Sequence, residues 1–306
     1  MELREGIVFR STGSWYEVKD LGTGQVVSCR LKGKFKIRNL KVTNPIAVGD
    51  RVLYYPDENI IDEILPRQNY VIRKSVHKTA HGHLLAANVD QLILIATLRS
   101  PKTSLGFIDR FLVTAETFRI PATLLFNKQD LLDRDEKAYQ NELIALYTGL
   151  GYGCLTASTY TGEGIAELKQ VLAGKTSLIS GHSGVGKSSL LNILQPDLRL
   201  ATSEISDFSE KGVHTTTFAE MFETEPGTRI IDSPGIKEMG LMDIAQEELA
   251  HFFPEFRALL GECRFHNCLH INEPKCAVKD AVEAEEIAVS RYLSYLSMFE
   301  NDDNRR

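Results

Sequence analysis

Residues 177–192 of the chain read Ser-Leu-Ile-Ser-Gly-His-Ser-Gly-Val-Gly-Lys-Ser-Ser-Leu-Leu-Asn. This stretch contains the pattern G-x-x-x-x-G-K-[ST] between a strand-like segment and a helical one, which is the setting that a phosphate-binding loop requires. The glycines let backbone N–H groups turn inward around phosphates, and the helix N-terminus adds its dipole. The candidate nucleotide-binding residues of this loop are Gly181, His182, Ser183, Gly184, Val185, Gly186, Lys187, Ser188 and Ser189.

Two side chains of the loop have predicted roles of their own. We expect Lys187 to reach the β- and γ-phosphates of a nucleotide and the Ser188 hydroxyl to bind Mg²⁺. The alternative is a glycine-rich turn that binds nothing, and the strand–loop–helix setting argues against it.

A second motif predicts which base is bound. Asn127-Lys128-Gln129-Asp130 follows the strand-like Thr123–Phe126. The Asp130 carboxylate can accept hydrogen bonds from both N1–H and the exocyclic amine of guanine, a donor pair that adenine lacks. We expect Asn127 to contact the other edge of the base and Lys128 to lie along the ring. The predicted nucleotide is therefore GTP or GDP.

A third motif, Asp232-Ser233-Pro234-Gly235, follows two isoleucines and matches a D-x-x-G element. Asp232 is expected to hold Mg²⁺ through water, and the Gly235 amide is expected to sense the γ-phosphate. The preceding segment 212–217 predicts a flexible switch, in which the hydroxyls of Thr215 and Thr216 would also serve the magnesium ion.

The order of these motifs differs from that of Ras-like G proteins, in which the phosphate loop comes first. Here Asn127–Asp130 precedes the phosphate loop, and so do Ala157 and Ser158, which fit the loop whose backbone amide reads the guanine oxygen. The order predicts a circularly permuted domain, because permutation preserves strand adjacency when the old termini lie close together. Whatever follows Asp232 would then be tied mechanically to the nucleotide state.

Strand-like and helical segments alternate from about residue 86. Asp90–Leu98 reads as a buried strand, Phe107–Phe118 has apolar residues at helical spacing, and Pro121–Phe126 is a further strand. Leu143–Tyr147 lies in a second helical stretch. This alternation predicts an α/β domain with a parallel sheet covered by helices on both faces.

The 306-residue chain has 43% hydrophobic residues and a net charge of -6. Taken at face value, this charge argues against a nucleic-acid partner, but it is unevenly distributed. Residues 1–83 carry a net charge of +5, the middle of the chain -5 and residues 240–306 -6. No apolar run is long enough to span a membrane and no secretory signal is evident, so we expect a cytoplasmic protein without a membrane partner.

The basic N-terminal part predicts a small β-barrel, because short strand-like segments alternate with turn residues. These segments are Gly6–Arg10, Ser14–Lys19, Gln25–Leu31, Arg51–Tyr55 and Ile60–Ile64. The candidate RNA-binding cations are Arg30, Lys32, Lys34, Lys36, Arg38 and Lys41. The first five alternate and would share one face of an extended chain, as a track for a phosphate backbone requires. A solvated strand face is the alternative.

Three of the five cysteines cluster near a histidine, as Cys263, Cys268, His270 and Cys276. Three thiolates and one imidazole suit a closed, structural Zn²⁺ site, with His266 as an alternative nitrogen ligand. We expect Cys29 and Cys154 to be buried, inert thiols. After residue 240 the chain is expected to be mainly helical, with Val278–Phe299 as one amphipathic helix.

Together, these features resemble the ribosome small-subunit-dependent GTPase A family of bacteria over essentially the whole chain. The shared features are the basic barrel, the permuted GTPase domain with Gly-Val-His-Thr-Thr-Thr at residues 212–217, and the Cys–Cys–His–Cys element. The resemblance implies an OB-fold, contact with 16S rRNA, GTP hydrolysis stimulated by the 30S subunit, and a role in late small-subunit maturation. One departure is Val213, where the family often has a basic residue.

We therefore expect three domains in a monomer. They are an OB-fold RNA-binding barrel at residues 1–72, a permuted α/β P-loop GTPase domain at 73–240, and a helical zinc-binding domain at 241–306. The expected cofactors are one structural Zn²⁺ and the Mg²⁺ that accompanies GTP.

The catalytic prediction concerns His214. Ras-like proteins have a water-orienting Gln after the D-x-x-G glycine, but this chain has Ile236, which cannot hydrogen-bond a water molecule. We expect His214 to position the water, and the alternative is a surface or phosphate-contact role. Hydrolysis should be slow until a partner orders the switch. Two other hypotheses remain: a non-catalytic RNA-binding assembly factor, and a permuted GTPase that acts on another RNA.

Overall fold

The computed structural model describes residues 2–32, 44–73, 83–198, 219–232 and 244–300. Its N-terminal strands are β1 (Arg4–Ser11), β2 (Tyr16–Asp20), β3 (Val26–Leu31), β4 (Arg51–Tyr55) and β5 (Ile60–Ile64). Strand β1 pairs with β2 and with β4, β2 with β3, β3 with β5, and β5 with β4. These pairings close a five-stranded barrel, which confirms the predicted fold of this part.

Alternate side chains of these strands fill the barrel. In β2, Tyr16 and Val18 are buried while Glu17 and Lys19 between them are partly exposed. The buried core also includes Cys29, whose thiol pKa is raised to about 11 by burial. A protonated, enclosed thiol is unreactive, as we expected for this cysteine.

A hairpin of β6 (Tyr70–Arg73) and β7 (His83–Ala87) leads into the central α/β domain. Its further strands are β8 (Gln91–Ala96), β9 (Ala122–Phe126), β10 (Gly153–Thr156), β11 (Thr176–Gly181), β12 (Glu220–Glu225) and β13 (Thr228–Asp232). They lie in the order β10-β9-β8-β11-β13-β12, and all neighbouring pairs are parallel except β12 with β13. The predicted parallel sheet is confirmed, with one antiparallel strand added.

Helices cover both faces of this sheet, as predicted. They are α1 (Leu105–Phe118), α2 (Arg134–Gly149), α3 (Ile165–Leu172) and α4 (Lys187–Leu194). Leu92 and Leu94 of β8 lie in the core cluster with α1 and α2, whereas Ile93 and Ile95 lie in the cluster with α3 and α4. A strand buried on both sides explains the unbroken apolar run from which it was predicted.

The barrel and the α/β domain share one continuous sheet. Arg10 of β1 lies opposite Glu220 of β12 in an antiparallel pair, and Lys19 of β2 forms an ion pair with Glu223 of β12. Because β12 also pairs with β13, the barrel is hydrogen-bonded to the neighbour of the strand that ends at Asp232.

The C-terminal part consists of a 3₁₀ segment (Gln246–Phe252), α5 (Pro254–Arg257), α6 (Ala277–Glu283) and α7 (Val289–Phe299). Our expectation of one helix over Val278–Phe299 is wrong, because Glu285 adopts a left-handed conformation (φ 60°) and the chain restarts as a helix at Val289. The break lets Ile287 enter the core between the two helices. In the described part of the chain, no helix has the length and apolar character needed to cross a membrane.

Two arginines of the C-terminal part form ion pairs with helix α1. Arg291 of α7 is 1% exposed and donates to Asp109 of α1 at 2.7 Å and to Glu255 of α5 at 2.6 Å. At the surface, Arg257 donates to Glu116 of α1 at 2.9 Å. The same helix begins beside the phosphate loop, so it connects the two regions directly.

Candidate nucleotide site and metal centre

The phosphate loop follows β11 and ends where α4 begins, at Lys187. Gly184 and Gly186 adopt left-handed backbone conformations, with φ of 83° and 94°. A Cβ on Gly186 would also lie 2.4 Å from the Asn127 side-chain nitrogen. Both the conformation and the close approach therefore require glycine at position 186.

Asn127 connects three segments of the site. Its side-chain nitrogen donates to the Val185 carbonyl oxygen at 2.8 Å, and its side-chain oxygen accepts from the Thr159 amide at 3.3 Å. The side chain is buried. We expected Asn127 at the edge of the base, and sequence reasoning missed this connection between the N-K-Q-D segment and the phosphate loop.

Asp130 and Ser158 also meet, since the Ser158 hydroxyl donates to the exposed Asp130 carboxylate at 2.5 Å. The backbone amides of Ala157 and Ser158 donate to the carbonyl oxygens of Phe126 at 2.8 Å and Glu163 at 2.9 Å. Within the described residues, the next amide, that of Thr159, makes a longer hydrogen bond, to the Asn127 side chain at 3.3 Å. Its hydrogen bond is the longest and therefore the weakest of the three.

The two middle residues of the N-K-Q-D segment point in different directions. The Lys128 amine donates to the Ser100 carbonyl oxygen, and burial lowers the pKa of this lysine. The Gln129 side chain is buried and donates to the Phe126 carbonyl oxygen at 3.3 Å. Gln129 therefore supports the loop from within, while Lys128 lies at the rim of the site.

The first residues of α1 form a wall of the phosphate loop. The rings of Phe107 and His182 have centroids 3.7 Å apart. Pro101, in the segment before α1, would lie 3.3 Å from a Cβ on Gly184. Neither neighbour of the loop was predicted, because the sequence separation is too long for pattern reasoning.

Lys187 and Asp232 form an ion pair across the site. Lys187 begins α4, just after the loop that follows β11, and β11 is the neighbour of β13, with Ile179 directly beside Asp232. The hydroxyl of Ser188 and the carboxylate of Asp232 are hard oxygen donors, the kind that Mg²⁺ takes beside phosphates. These residues therefore fit the predicted magnesium site. The other predicted switch residues, His214, Thr215, Thr216 and Gly235, lie outside the described residues.

Only two of the predicted RNA-binding cations fall in the described part of the chain, and each lies beside an aromatic ring. The Arg30 guanidinium stacks 3.8 Å above the half-exposed Trp15 ring, and the Lys32 amine lies 5.6 Å from the Tyr55 ring. Lys32 also pairs with Asp62 at 2.5 Å. The cations outside the described residues are Lys34, Lys36, Arg38 and Lys41.

The four predicted zinc ligands converge on one point. The ligand atoms of Cys263, Cys268, His270 and Cys276 all lie within 4.8 Å of one another. The Nδ1 atom of His270 lies 3.3 Å from the Cys276 sulfur and 3.6 Å from the Cys263 sulfur. Zinc–sulfur bonds of about 2.3 Å at tetrahedral angles separate two sulfurs by about 3.8 Å, so the group fits a tetrahedral metal ion. His266 is exposed and lies outside the group.

Side chains of the C-terminal helices hold the ligand loop. The hydroxyls of Tyr292 and Tyr295 donate to the carbonyl oxygens of His270 and Leu269, at 2.7 and 2.6 Å. The Glu273 carboxylate accepts hydrogen bonds from the amides of three neighbouring residues. Burial lowers the pKa of His270, which favours the neutral imidazole that a metal requires.

Two protein-family models match this chain, one after the other. The model of the RsgA N-terminal domain matches residues 5–60, and that of the RsgA GTPase matches residues 64–242. The small ribosomal subunit biogenesis GTPase RsgA of Cytophaga hutchinsonii is 52% identical, covering 98% of this chain and 100% of that protein. The corresponding protein of Flavobacterium johnsoniae is 50% identical, covering 97% of this chain and 93% of that protein.

A solved structure shares the fold over the full length. The crystal structure of YjeQ from Thermotoga maritima has a TM-score of 0.80 and 41% identity, and it covers 100% of both chains. YloQ, described as a circularly permuted GTPase, has a TM-score of 0.75 and 30% identity, covering 100% of this chain and 96% of that one. The chain therefore belongs to the RsgA family of circularly permuted ribosome biogenesis GTPases and is a GTP hydrolase.

Proposed function

We propose that this GTPase acts in late maturation of the small ribosomal subunit, where the 30S particle binds the GTP form and stimulates hydrolysis. The observation that carries the proposal is the direct pairing of barrel strand β1 with β12, the strand beside the nucleotide site. Contact of the barrel with rRNA can thereby act on the nucleotide site through backbone hydrogen bonds. The names of the relatives, which concern the small subunit, support the choice of partner.

We assign the binding of guanine to the segment 127–130 and to the neighbouring loop. Asp130 accepts from the base, with Ser158 holding its carboxylate, and Lys128 lies along the ring. The amides of Ala157 and Ser158 are engaged elsewhere, so the Thr159 amide is the better donor to the guanine oxygen. The amides of the phosphate loop at residues 181–189 receive the phosphates.

Binding of a nucleotide requires an exchange of partners at the far end of the loop. Lys187 leaves Asp232 for the β- and γ-phosphates, and Asp232, Ser188, Thr215 and Thr216 would hold the magnesium ion. The ion neutralises phosphate charge when it is bound. His214 positions the attacking water, and the Gly235 amide senses the γ-phosphate.

Each of the three domains has its own role. The barrel at residues 1–72 contacts 16S rRNA through Arg30, Lys32, Lys34, Lys36, Arg38 and Lys41. Residues 73–240 form the permuted GTPase domain, and residues 241–306 form a domain stabilised by one Zn²⁺ on its three cysteines and His270. The protein works as a monomer in the cytoplasm.

Sedimentation with separated ribosomal subunits tests the proposal. The full chain with a non-hydrolysable GTP analogue should sediment with 30S subunits, and the same chain with GDP should bind them at least tenfold more weakly. Co-sedimentation with 50S subunits or with tRNA instead would favour a GTPase acting on another RNA. Equal binding of 30S subunits in the GTP-analogue and GDP states would contradict a nucleotide-controlled cycle.

A further inference from the structure

Charged residues form one row across four neighbouring strands, from the barrel to the nucleotide site. Glu17 of β2 lies opposite Arg10 of β1, Arg10 lies opposite Glu220 of β12, and Glu220 lies opposite Asp232 of β13. Lys187 closes the row through its ion pair with Asp232. Directly opposed residues project on the same face of a sheet, so the row lies on one face.

The centre of the row holds two like charges side by side. Glu220 and Asp232 are directly opposed, at a spacing that typically brings Cβ atoms within about 4.5–5.5 Å, and such carboxylate pairs repel. Glu220 is only partly exposed, and in the described part of the chain it has no ion pair or side-chain hydrogen bond. Its pKa is raised by burial and by the charges of Glu17 and Asp232, against which Arg10 lowers it.

Binding of a nucleotide increases the repulsion between the carboxylates of Glu220 and Asp232. In the proposed function, Lys187 turns from Asp232 to the phosphates, which leaves two adjacent carboxylates with Arg10 opposite Glu220. A divalent cation at the Asp232 end removes the repulsion. The carboxylate of Glu220 then attracts the cation from one strand further away, through its charge and through the water around the ion.

We propose that Glu220 is a positioning residue for the magnesium ion of the nucleotide site, and that Arg10 of the barrel sets the strength of this effect. The inference rests on the proposed assignment of Asp232 to magnesium. Arg10 belongs to the barrel and lies opposite Glu220, so its positive charge offsets the attraction of Glu220 for a cation at Asp232. A partner that draws the half-exposed Arg10 away would therefore strengthen that attraction.

The test measures magnesium-dependent nucleotide retention by the full chain. Fluorescent methylanthraniloyl-GDP is bound, and its dissociation rate is followed over a range of Mg²⁺ concentrations to obtain a midpoint. The variants are E220Q, E220D, R10Q and the double variant R10Q/E220Q. The matched control is E225Q, an exposed glutamate on the same strand that lies opposite Thr228. Thermal unfolding of each variant verifies that it folds.

We expect E220Q to raise the Mg²⁺ midpoint about three- to tenfold without weakening nucleotide binding in the absence of Mg²⁺. E220D and E225Q should match the wild type. R10Q should lower the midpoint, and this effect should vanish when residue 220 is glutamine. Electron paramagnetic resonance with Mn²⁺ should show the same order of affinities.

An unchanged midpoint in E220Q would overturn the inference while leaving the proposed function intact. An equal loss of nucleotide binding by E220Q with and without Mg²⁺ would also overturn the inference, because it would show that Glu220 contributes to packing and not to the position of the ion. If nucleotide retention by the wild type does not depend on the Mg²⁺ concentration, the assignment of Asp232 to magnesium is wrong, and the inference falls with it.

Discussion

The side-chain nitrogen of Asn127 donates to the carbonyl oxygen of Val185 at 2.8 Å, and it does so from a buried position. The N-K-Q-D segment and the phosphate loop are therefore one structural unit. Loss of this contact should affect the binding of the whole nucleotide, irrespective of the number of phosphates.

Replacement of Asn127 by alanine should weaken both GTP and GDP at least tenfold, because a buried carbonyl group left without its donor costs about 1–3 kcal/mol. Isothermal titration calorimetry measures both affinities. N141A is the matched control, since Asn141 is exposed on α2. Affinities within twofold of the wild type in N127A would show that the contact does not support the site.

The Asp130→Asn change tests base recognition. Asparagine replaces one of the two acceptor oxygens with an NH2 donor, which faces a guanine donor, so GTP affinity should fall about 100-fold or more. Xanthosine triphosphate, with an oxygen in place of the amine, should gain affinity. Competition against fluorescent GDP measures both effects. D135N, at an exposed aspartate nearby, should leave the selectivity unchanged. A D130N protein that still prefers GTP would contradict the assignment.

The buried pair of Arg291 and Asp109 should dominate the attachment of the C-terminal part. R291Q leaves Asp109 and Glu255 without their buried cation, so the free energy of unfolding should fall by about 3–5 kcal/mol. R257Q removes an arginine that is 50% exposed and also pairs with α1, so it should cost less than about 1 kcal/mol. Chemical denaturation compares the two variants, and equal costs would refute the distinction.

Removal of the metal should unfold the C-terminal part selectively. Cys263, Cys268, His270 and Cys276 should bind one zinc ion per chain, and C268S should lose it because a closed site needs all four ligands. Elemental analysis measures zinc, and limited proteolysis locates the unfolding. C154S, which changes a partly buried cysteine of β10 outside the group, is the control and should keep its zinc. A full zinc content in C268S would count against the site.

The barrel should lose stability in acid through Asp20. The hydrogen bond from the Tyr54 hydroxyl, together with the amides of Gly22 and Thr23, lowers the pKa of Asp20 to about 2. The folded state therefore holds this proton less well than the unfolded state, whose pKa is about 3.9. The resulting stability is complete above pH 4 and is lost as the pH falls towards 2.

D20N tests this by comparison with the wild type at several pH values. The wild type should be more stable than D20N at pH 6, and the difference in unfolding free energy should shrink as the pH falls from 4 to 2. A difference that stays constant over this range would show that the charge of Asp20 contributes nothing.

Local patterns predicted the parts of the site that lie within single segments. The phosphate loop, Asn127–Asp130 and the four metal ligands follow from spacing, because backbone geometry within a few residues decides them. Contacts between distant segments did not follow. Asn127 and Val185 are separated by 58 positions and Asp109 and Arg291 by 182, and only the assembled fold brings such pairs together.

Two other differences have physical reasons. The spacing of apolar residues cannot distinguish one long helix from two shorter helices that bury apolar residues at the same spacing. The helix break at Glu285 could not be predicted, because the residue that usually ends a helix in a left-handed conformation is glycine. The stacking of Arg30 on Trp15 was not predicted. The alternation of residues along a strand shows which cations share a face, but it does not show that Trp15, in the turn between β1 and β2, lies beside that face.

We expect the small ribosomal subunit to accelerate GTP hydrolysis by this chain, and a phosphate-release assay with purified subunits measures this acceleration. We predict slow release by the free protein, acceleration of at least tenfold by 30S subunits, none by 50S subunits, and loss of the acceleration in H214A. A hydrolysis rate that 30S subunits leave unchanged, or that 50S subunits raise equally, would show that the small subunit is not the specific activator of this GTPase.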